Sequence, residues 1–156
     1  MRILETSRGE YRKKIGQDKT CPFCDAEIIA DQEAPSLETE YWRVLACKHP
    51  YLEGNLMLIP KRHFEDDGEA TEEEWKDLFV CLHKSKKKLG ELFETQSFNL
   101  GLNIGPESGR SIPHIHYMLV PRVSRLRNYP VFEALNDLVV VTMDYKTLLK
   151  KIADSE

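Results

Sequence analysis

A long apolar repeat between Trp75 and Phe93 constrains the fold of this chain more than any other feature. Its apolar residues recur at spacings of three, four and seven, which is typical of one buried face of an α-helix. They are Trp75, Leu78, Phe79, Leu82, Leu89, Leu92 and Phe93. Thr71 and Glu74 have the spacing of a capping box, so the helix is predicted over residues 71–94.

Short β-rich segments surround this helix, and a second helix is expected close to the end of the chain. The predicted strands are Tyr41–Leu45, Leu56–Ile59, Ser97–Asn103, Ile112–Pro121 and Leu138–Met143, and the short C-terminal helix is Tyr145–Ala153. Strands on both sides of one long helix predict an α+β domain built on an antiparallel sheet of about five strands. We place this single domain over residues 20–156, after a polar N-terminal arm at residues 1–19.

Charge and hydropathy exclude several classes of function. The net charge of −4 is opposite in sign to that of most proteins that bind a nucleic-acid polymer. The longest apolar runs, Leu56–Pro60 and Leu138–Met143, are far shorter than the roughly 20 residues that cross a membrane. Because the first twenty residues contain no apolar segment of signal-peptide type, we expect a cytoplasmic protein that does not bind membranes.

A Cys-x-x-Cys pair, Cys21 and Cys24, indicates metal or redox chemistry. A redox pair requires a stabilised thiolate, and the acids Asp25 and Glu27 that follow the pair disfavour one. Zinc fits better, provided that two histidines complete the ligand set. The candidate histidines are His49, His63, His83, His114 and His116, of which His83 falls inside the long helix and is expected on its surface.

Two histidines follow a glycine-rich turn at residues 105–109. His114 and His116 are two positions apart, so on a strand both imidazoles would project from the same face, with Met118 next in that row. One histidine on a strand is more often structural. Two on one face behind a flexible turn indicate a functional role.

Four segments, taken together and in order, resemble the histidine triad (HIT) family of nucleotide hydrolases and transferases. They are Cys21–Cys24, the His49–His63 segment that ends in Pro-x-x-His, the Leu102–Ser111 phosphate loop, and Pro113–Arg122, which resembles the signature His-φ-His-φ-His-φ-φ followed by Pro-Arg. Within the family, the segment Asn128–Val131 is most similar to the diadenosine polyphosphate phosphorylase and nucleotide hydrolase branch.

The resemblance implies a half-barrel antiparallel sheet that usually pairs with a second copy as a homodimer. It also implies a structural zinc site, because the Cys pair binds zinc in related branches and in galactose-1-phosphate uridylyltransferases. Carried over residue by residue, the zinc ligands are Cys21, Cys24, His63 and His114.

The chemistry that the resemblance implies is attack of His116 on the α-phosphate of a nucleotide, through a covalent nucleotidyl-histidine. Ser111 is the second catalytic candidate, acting on the leaving group. The implied nucleotide- and phosphate-binding residues are Asn103, Gly109, Arg110, Ser111, His116 and Met118. Two alternatives remain: nucleotidyl transfer to a sugar phosphate, as in the uridylyltransferases, and a catalytically weak nucleotide-binding zinc protein.

The chain departs from the family pattern at three positions. Met118 replaces the third histidine of the signature, and a thioether donates no hydrogen bond. Cys47 stands where many members have an acidic or amide residue for the ribose hydroxyls. Arg110 stands where glutamine is frequent, and its guanidinium offers a fork of donors to phosphate oxygens.

Overall fold

The computed structural model describes residues 21–124 and 143–154. In chain order its elements are α1 (Ala26–Gln32), β1 (Trp42–Ala46), β2 (Leu56–Pro60), α2 (Glu72–Phe93), β3 (Phe98–Leu102), β4 (Tyr117–Pro121) and α3 (Tyr145–Asp154). Short 3₁₀ turns lie at Pro22–Cys24, Pro35–Leu37, Asp67–Glu69 and Pro106–Ser108. None of the helices in these ranges combines the length and apolarity that crossing a bilayer requires.

The strands form one antiparallel sheet in the order β1-β2-β4-β3. The two inner strands, β2 and β4, are buried along their whole length, which explains why their sequences are almost entirely apolar. The predicted α+β class with an antiparallel sheet is confirmed, with four strands in the described part of the chain. The predicted strand Leu138–Met143, the Asn128–Val131 segment and the N-terminal arm fall outside the described residues, apart from Met143, which is not in a strand.

Helix α2 begins and ends where local chemistry requires. The Thr71 hydroxyl accepts a hydrogen bond from the Glu74 amide at 3.2 Å, and the Glu74 carboxylate accepts one from the Thr71 amide at 2.8 Å, which confirms the predicted capping box. The helix stops at Glu94, whose φ of 49° is left-handed. Its buried face packs on the sheet through Leu78, Cys81 and Leu89. Phe79, predicted on that face, is exposed instead.

The two faces of the sheet pack in different clusters, because successive residues of a strand point to opposite faces. Val44, Leu58 and Leu119 face α2 and α3 in the larger core cluster. On the opposite face, Met57 and Met118, which are paired across β2 and β4, pack in a second cluster with Phe23. This second face carries the functional residues discussed below.

The segment before β4 differs from its prediction. The strand begins at Tyr117 and not at Ile112, so His114 and His116 are not strand residues. Pro113 has no N–H to contribute to a ladder, and the Ile115 amide donates to the Phe64 carbonyl at 2.9 Å instead of to a neighbouring strand. Residues 112–116 are therefore attached to the loop that follows β2.

Candidate functional site

The four residues implied as metal ligands converge at one point. Their ligand atoms all lie within 4.8 Å of one another. His114 Nδ1 is 3.5 Å from Cys21 Sγ and 3.6 Å from Cys24 Sγ, and His63 Nδ1 is 3.4 Å from Cys24 Sγ. Tetrahedral zinc, with bonds of about 2.3 Å to sulfur and 2.0–2.1 Å to nitrogen, separates S and N ligands by about 3.6 Å. The donor set and its spacing therefore fit zinc.

Hydrogen bonds within the protein orient the two cysteines and His114. The Cys24 amide donates to the Cys21 carbonyl at 2.9 Å across the Pro22–Cys24 turn, which brings both sulfurs to one side. The His114 Nε2–H donates to the Pro60 carbonyl at 3.1 Å, which leaves Nδ1 with its lone pair toward the sulfurs. Burial lowers the pKa of His114 to about 4, so this imidazole is in the neutral form that binds a metal.

The same region disfavours a redox role for the Cys pair. The Asp25 carboxylate caps α1 by accepting from the Glu27 and Ile28 amides at 2.9 and 3.1 Å, so the first amides of this helix do not stabilise a thiolate. Burial raises the pKa of the Cys21 thiol to about 11. A redox-active cysteine needs the opposite shift.

A cavity next to the metal cluster gathers the residues implied for nucleotide binding. It is partly open to solvent, and its wall combines apolar side chains with a few polar ones, as in small-molecule sites. Asn103, Gly109, Arg110, Ser111, His116 and Met118 all line it. Cys47 and Ile112 also line the cavity. So does Met57, which is paired with Met118 across β2 and β4.

His116 is held in one orientation inside this cavity. Its Nδ1–H donates to the His114 carbonyl at 2.8 Å, because a carbonyl can only accept. The lone pair of the neutral ring is consequently on Nε2. The Phe23 ring packs edge-on against the imidazole, with centroids 5.1 Å apart. Burial, with a smaller contribution from the Arg110 charge, lowers the pKa of His116 below its usual value.

The phosphate loop is shaped by two glycines with positive φ, Gly105 at 79° and Gly109 at 81°. Within it, the Ser108 hydroxyl donates to the Gly105 carbonyl at 2.7 Å and accepts from the Arg110 amide at 3.3 Å. The Arg110 guanidinium donates hydrogen bonds to Glu65, and Ser111, which lines the cavity, is exposed.

The metal cluster and the cavity share structural parts. Phe23 lies between the two cysteine ligands and lines the cavity, where it contacts His116. The His114 carbonyl orients His116, while the His114 ring belongs to the metal cluster. A change in the position of the Cys21–Cys24 turn or of His114 would therefore also move the contacts that orient His116.

The sequence does not predict the cavity-wall residues Phe23, Gln32, Lys48, Tyr51, Met57 and Ile112, and it suggests His49 only as a candidate metal ligand. His49 lines the cavity and is not in the metal cluster, and His83 is exposed on α2. Gln32 was missed because α1 was missed. The one signal for that helix was Asp25 at its N-cap.

Lys48 lines the cavity and contacts both shorter helices, with its ammonium 5.5 Å from the centroid of the Tyr145 ring of α3. Its ammonium lies 3.5 Å from the Asp31 carboxylate of α1. The Tyr145 hydroxyl of α3 donates to the same carboxylate at 2.7 Å. The C-terminal helix thus supports the cavity wall from outside.

Comparison with known proteins agrees with this geometry. The chain is 30% identical over 73 residues to a bis(5'-nucleosyl)-tetraphosphatase (asymmetrical) of Schizosaccharomyces pombe, which covers 47% of this chain and 40% of that protein. It is 32% identical over 104 residues to an AP-4-A phosphorylase of Mycobacterium tuberculosis, covering 65% and 53% respectively. The matches thus span about half the length of these relatives.

A crystal structure of a Zn-bound histidine triad family protein from Mycobacterium smegmatis has the same fold. It superposes with a TM-score of 0.56 at 18% identity, and the match covers 94% of each chain. The family model for the HIT domain matches residues 33–125, which is 93 of the 156 residues. The chain therefore belongs to the HIT domain family.

Proposed function

We propose that this protein is a nucleotidyl hydrolase or transferase that cleaves nucleotides at the α-phosphate through a covalent bond to His116. The hydrogen bond from His116 Nδ1 to the His114 carbonyl carries this proposal, because it leaves Nε2 unprotonated in the cavity. The names of the two relatives, a tetraphosphatase and an AP-4-A phosphorylase, support dinucleoside polyphosphates as the substrate class.

The proposed reaction has two displacements. In the first, His116 Nε2 forms a bond to the α-phosphorus while the bond to the leaving oxygen breaks, and the leaving group takes that electron pair. The modified ring keeps its Nδ1 proton and carries positive charge, which the His114 carbonyl stabilises. In the second, water or inorganic phosphate attacks the phosphorus while the bond from phosphorus to Nε2 breaks, and its electron pair returns to the His116 ring. Water, which releases a proton to solvent, gives a nucleoside monophosphate, and inorganic phosphate gives a nucleoside diphosphate.

The remaining cavity residues have supporting roles in this scheme. Asn103 and Arg110 bind phosphate oxygens, whose negative charge must be balanced as the leaving group departs. Ser111 lines the cavity and is exposed, and in this scheme its hydroxyl forms a hydrogen bond with the leaving group. Zinc, held by Cys21, Cys24, His63 and His114, would cross-link the segments that carry Phe23 and His114.

Detection of the covalent intermediate tests the proposal. Purified protein is incubated with diadenosine polyphosphates, nucleoside phosphoramidates or nucleotide sugars, quenched at alkaline pH and mapped by mass spectrometry. A nucleotidyl adduct on His116 is expected. The same substrates, with and without inorganic phosphate and a sugar phosphate, identify the acceptor. A protein that binds nucleotides but forms no adduct and no product would contradict the proposal and favour the catalytically weak alternative.

Because residue 118 is methionine, the rate of turnover is expected to depend on the leaving group. Met118 lines the cavity together with His116, and its thioether cannot donate a hydrogen bond. We expect slow turnover of substrates with poor leaving groups such as amines, and faster turnover of polyphosphates, which leave without protonation. Met118→Gln adds an amide donor, and one such donor in an active site is worth about 10²–10³ in rate. Met118→Gln should therefore raise the rate of turnover most for substrates with amine leaving groups.

Met57→Gln is the matched control for this prediction, since Met57 is paired with Met118 across β2 and β4 and lines the same cavity. It should not change the ratio of rates on amine and polyphosphate substrates. The comparison is made by steady-state kinetics on both substrate classes. An equal ratio in wild type and Met118→Gln would assign the donor role to Ser111 or Arg110.

We also propose that the protein is a homodimer. Phe79 and Val80 are exposed on α2, Phe79 at 68% of its surface, and Leu100 is exposed on β3, the outermost strand on that side of the described sheet. A second copy that covers these side chains would remove their apolar surface from water. Sedimentation at micromolar concentration should give twice the chain mass. Phe79→Glu should shift it to the monomer mass.

A further inference from the structure

Arg110 is held by two contacts to a single residue, Glu65. Its Nη1–H donates to the Glu65 carbonyl at 2.9 Å, and its Nη2–H donates to the Glu65 carboxylate at 3.0 Å. The Arg110 side chain is 13% exposed, whereas that of Glu65 is 50% exposed. Arg110 lines the cavity, whereas Glu65 is not among the residues of its wall.

The backbone of Glu65 is itself fixed. The preceding residue, Phe64, is buried, and its carbonyl accepts from the Ile115 amide at 2.9 Å. The Glu65 amide donates to the Glu69 carboxylate at 3.0 Å, and the Asp66 amide donates to the same oxygen at 3.1 Å. Glu65 is thereby anchored to the His114–His116 segment on one side and to the Asp67–Glu69 turn on the other.

This arrangement leaves Arg110 with free binding capacity in a fixed place. A guanidinium has five N–H donors, and the two hydrogen bonds to Glu65 occupy two of them. A long arginine side chain loses much rotamer entropy when it binds a ligand. Because the contacts to Glu65 restrict the side chain beforehand, less of that entropy remains to be lost on phosphate binding.

We propose that Glu65 is a positioning residue that holds Arg110 at the cavity wall, where its remaining donors bind a phosphate group of the nucleotide. This inference rests on the proposed function, which supplies the nucleotide. Glu65 acts through Arg110 and does not contact the ligand. A competing role, in which the Glu65 carboxylate blocks Arg110 until phosphate displaces it, predicts the opposite sign for every Glu65 variant.

The inference is tested by calorimetric titration of the full chain with AMP and with adenosine, which lacks the phosphate. Glu65→Ala should weaken AMP binding roughly 5- to 10-fold, in line with the coupling measured between contacting charged residues elsewhere. Glu65→Gln, whose amide oxygen still accepts from Nη2–H, should restore part of the affinity. Adenosine has no phosphate for Arg110 to bind, so its affinity should be unchanged in both variants. A structural defect, in contrast, would weaken the binding of both ligands.

A double-mutant cycle with Arg110 makes the test specific. In an Arg110→Ala background, Glu65→Ala should have no further effect on AMP binding. Glu73→Ala, which removes an exposed carboxylate in the first turn of α2, is the matched control for net charge and should leave AMP affinity unchanged.

The outcomes separate the inference from the proposed function. Failure of the wild type to bind AMP contradicts the proposed function. Binding by the wild type with equal or tighter binding by Glu65→Ala contradicts the positioning role alone. An effect of Glu65→Ala that persists in the Arg110→Ala background also contradicts it, because Glu65 would then act independently of Arg110.

Discussion

Replacing His116 with alanine is expected to lower kcat by at least about 10⁴-fold on every substrate, as loss of a covalent nucleophile does in other enzymes. His116 Nε2 is the atom that would bond to phosphorus, and the neighbouring donors bind charge but cannot replace that bond. The fold and metal content should be unchanged, since the His116 ring is not in the metal cluster. Steady-state kinetics, circular dichroism and metal analysis measure the three quantities.

His49 provides the control, because it is a second histidine in the wall of the same cavity. His49→Ala removes an imidazole of the same size and should change kcat less than about tenfold, as expected for a binding contact. It should also form the covalent adduct on His116. If His116→Ala retained substantial turnover, or if His49→Ala were the inactive variant, the assignment of the nucleophile would be wrong.

The parts of the fold that sequence predicts well are those determined by local interactions. Helix α2 is 22 residues long, so its repeat has many periods, and its capping box joins two residues only three apart. β2 and the main part of β4 are short apolar runs stopped by proline. These ends depend on backbone geometry close in sequence, so the predicted bounds of α2 and β2 and the predicted end of β4 lie within one residue of the observed ones.

The parts that sequence does not predict depend on distant contacts. The start of β4 is set by Phe64, 51 residues before Ile115, which binds the Ile115 amide. Likewise Arg110 is positioned by Glu65, 45 residues away. Pairings over such distances leave no periodic signal, and α1, with seven residues, is too short to show one.

The candidate site likewise has residues that local motifs predict and contacts that depend on residues far apart in sequence. The motifs name most of its residues one by one, but the contact between Phe23 and His116 follows from how the Pro22–Cys24 turn packs on the sheet. The motif reasoning also placed His114 and His116 on one strand face. Both side chains do contact Phe23, yet they do so from a loop whose own hydrogen bonds set their orientation.

Removal of the metal is expected to lower the stability of the domain severely. The proposed zinc joins three segments that are far apart in sequence, the Cys21–Cys24 turn, the loop after β2 and the loop before β4. Metal binding contributes about 10–16 kcal/mol to folding of zinc-finger peptides. This domain has its own sheet core, so we expect a smaller share, at least about 3 kcal/mol, or roughly 6–12 °C in Tm.

Protein purified in the absence of chelators should contain about one zinc per chain by metal analysis. Cys24 and His63 are exposed, so a chelator has access to the site and should lower Tm to the value of the metal-free protein. Cys21→Ser should give the same low Tm and no zinc. Cys47→Ser, which removes a thiol outside the cluster, should leave zinc content unchanged.

The two histidine ligands should differ in a way that separates metal binding from packing. His63→Ala removes an exposed ring and should cost only the metal, so chelation should cause no further loss of Tm. His114→Ala also empties a buried space and leaves the Pro60 carbonyl without its donor, so its Tm should lie below that of the chelated wild type. Unstripped protein without zinc, or Cys21→Ser with unchanged metal content and Tm, would show that these four residues do not form a structural metal site.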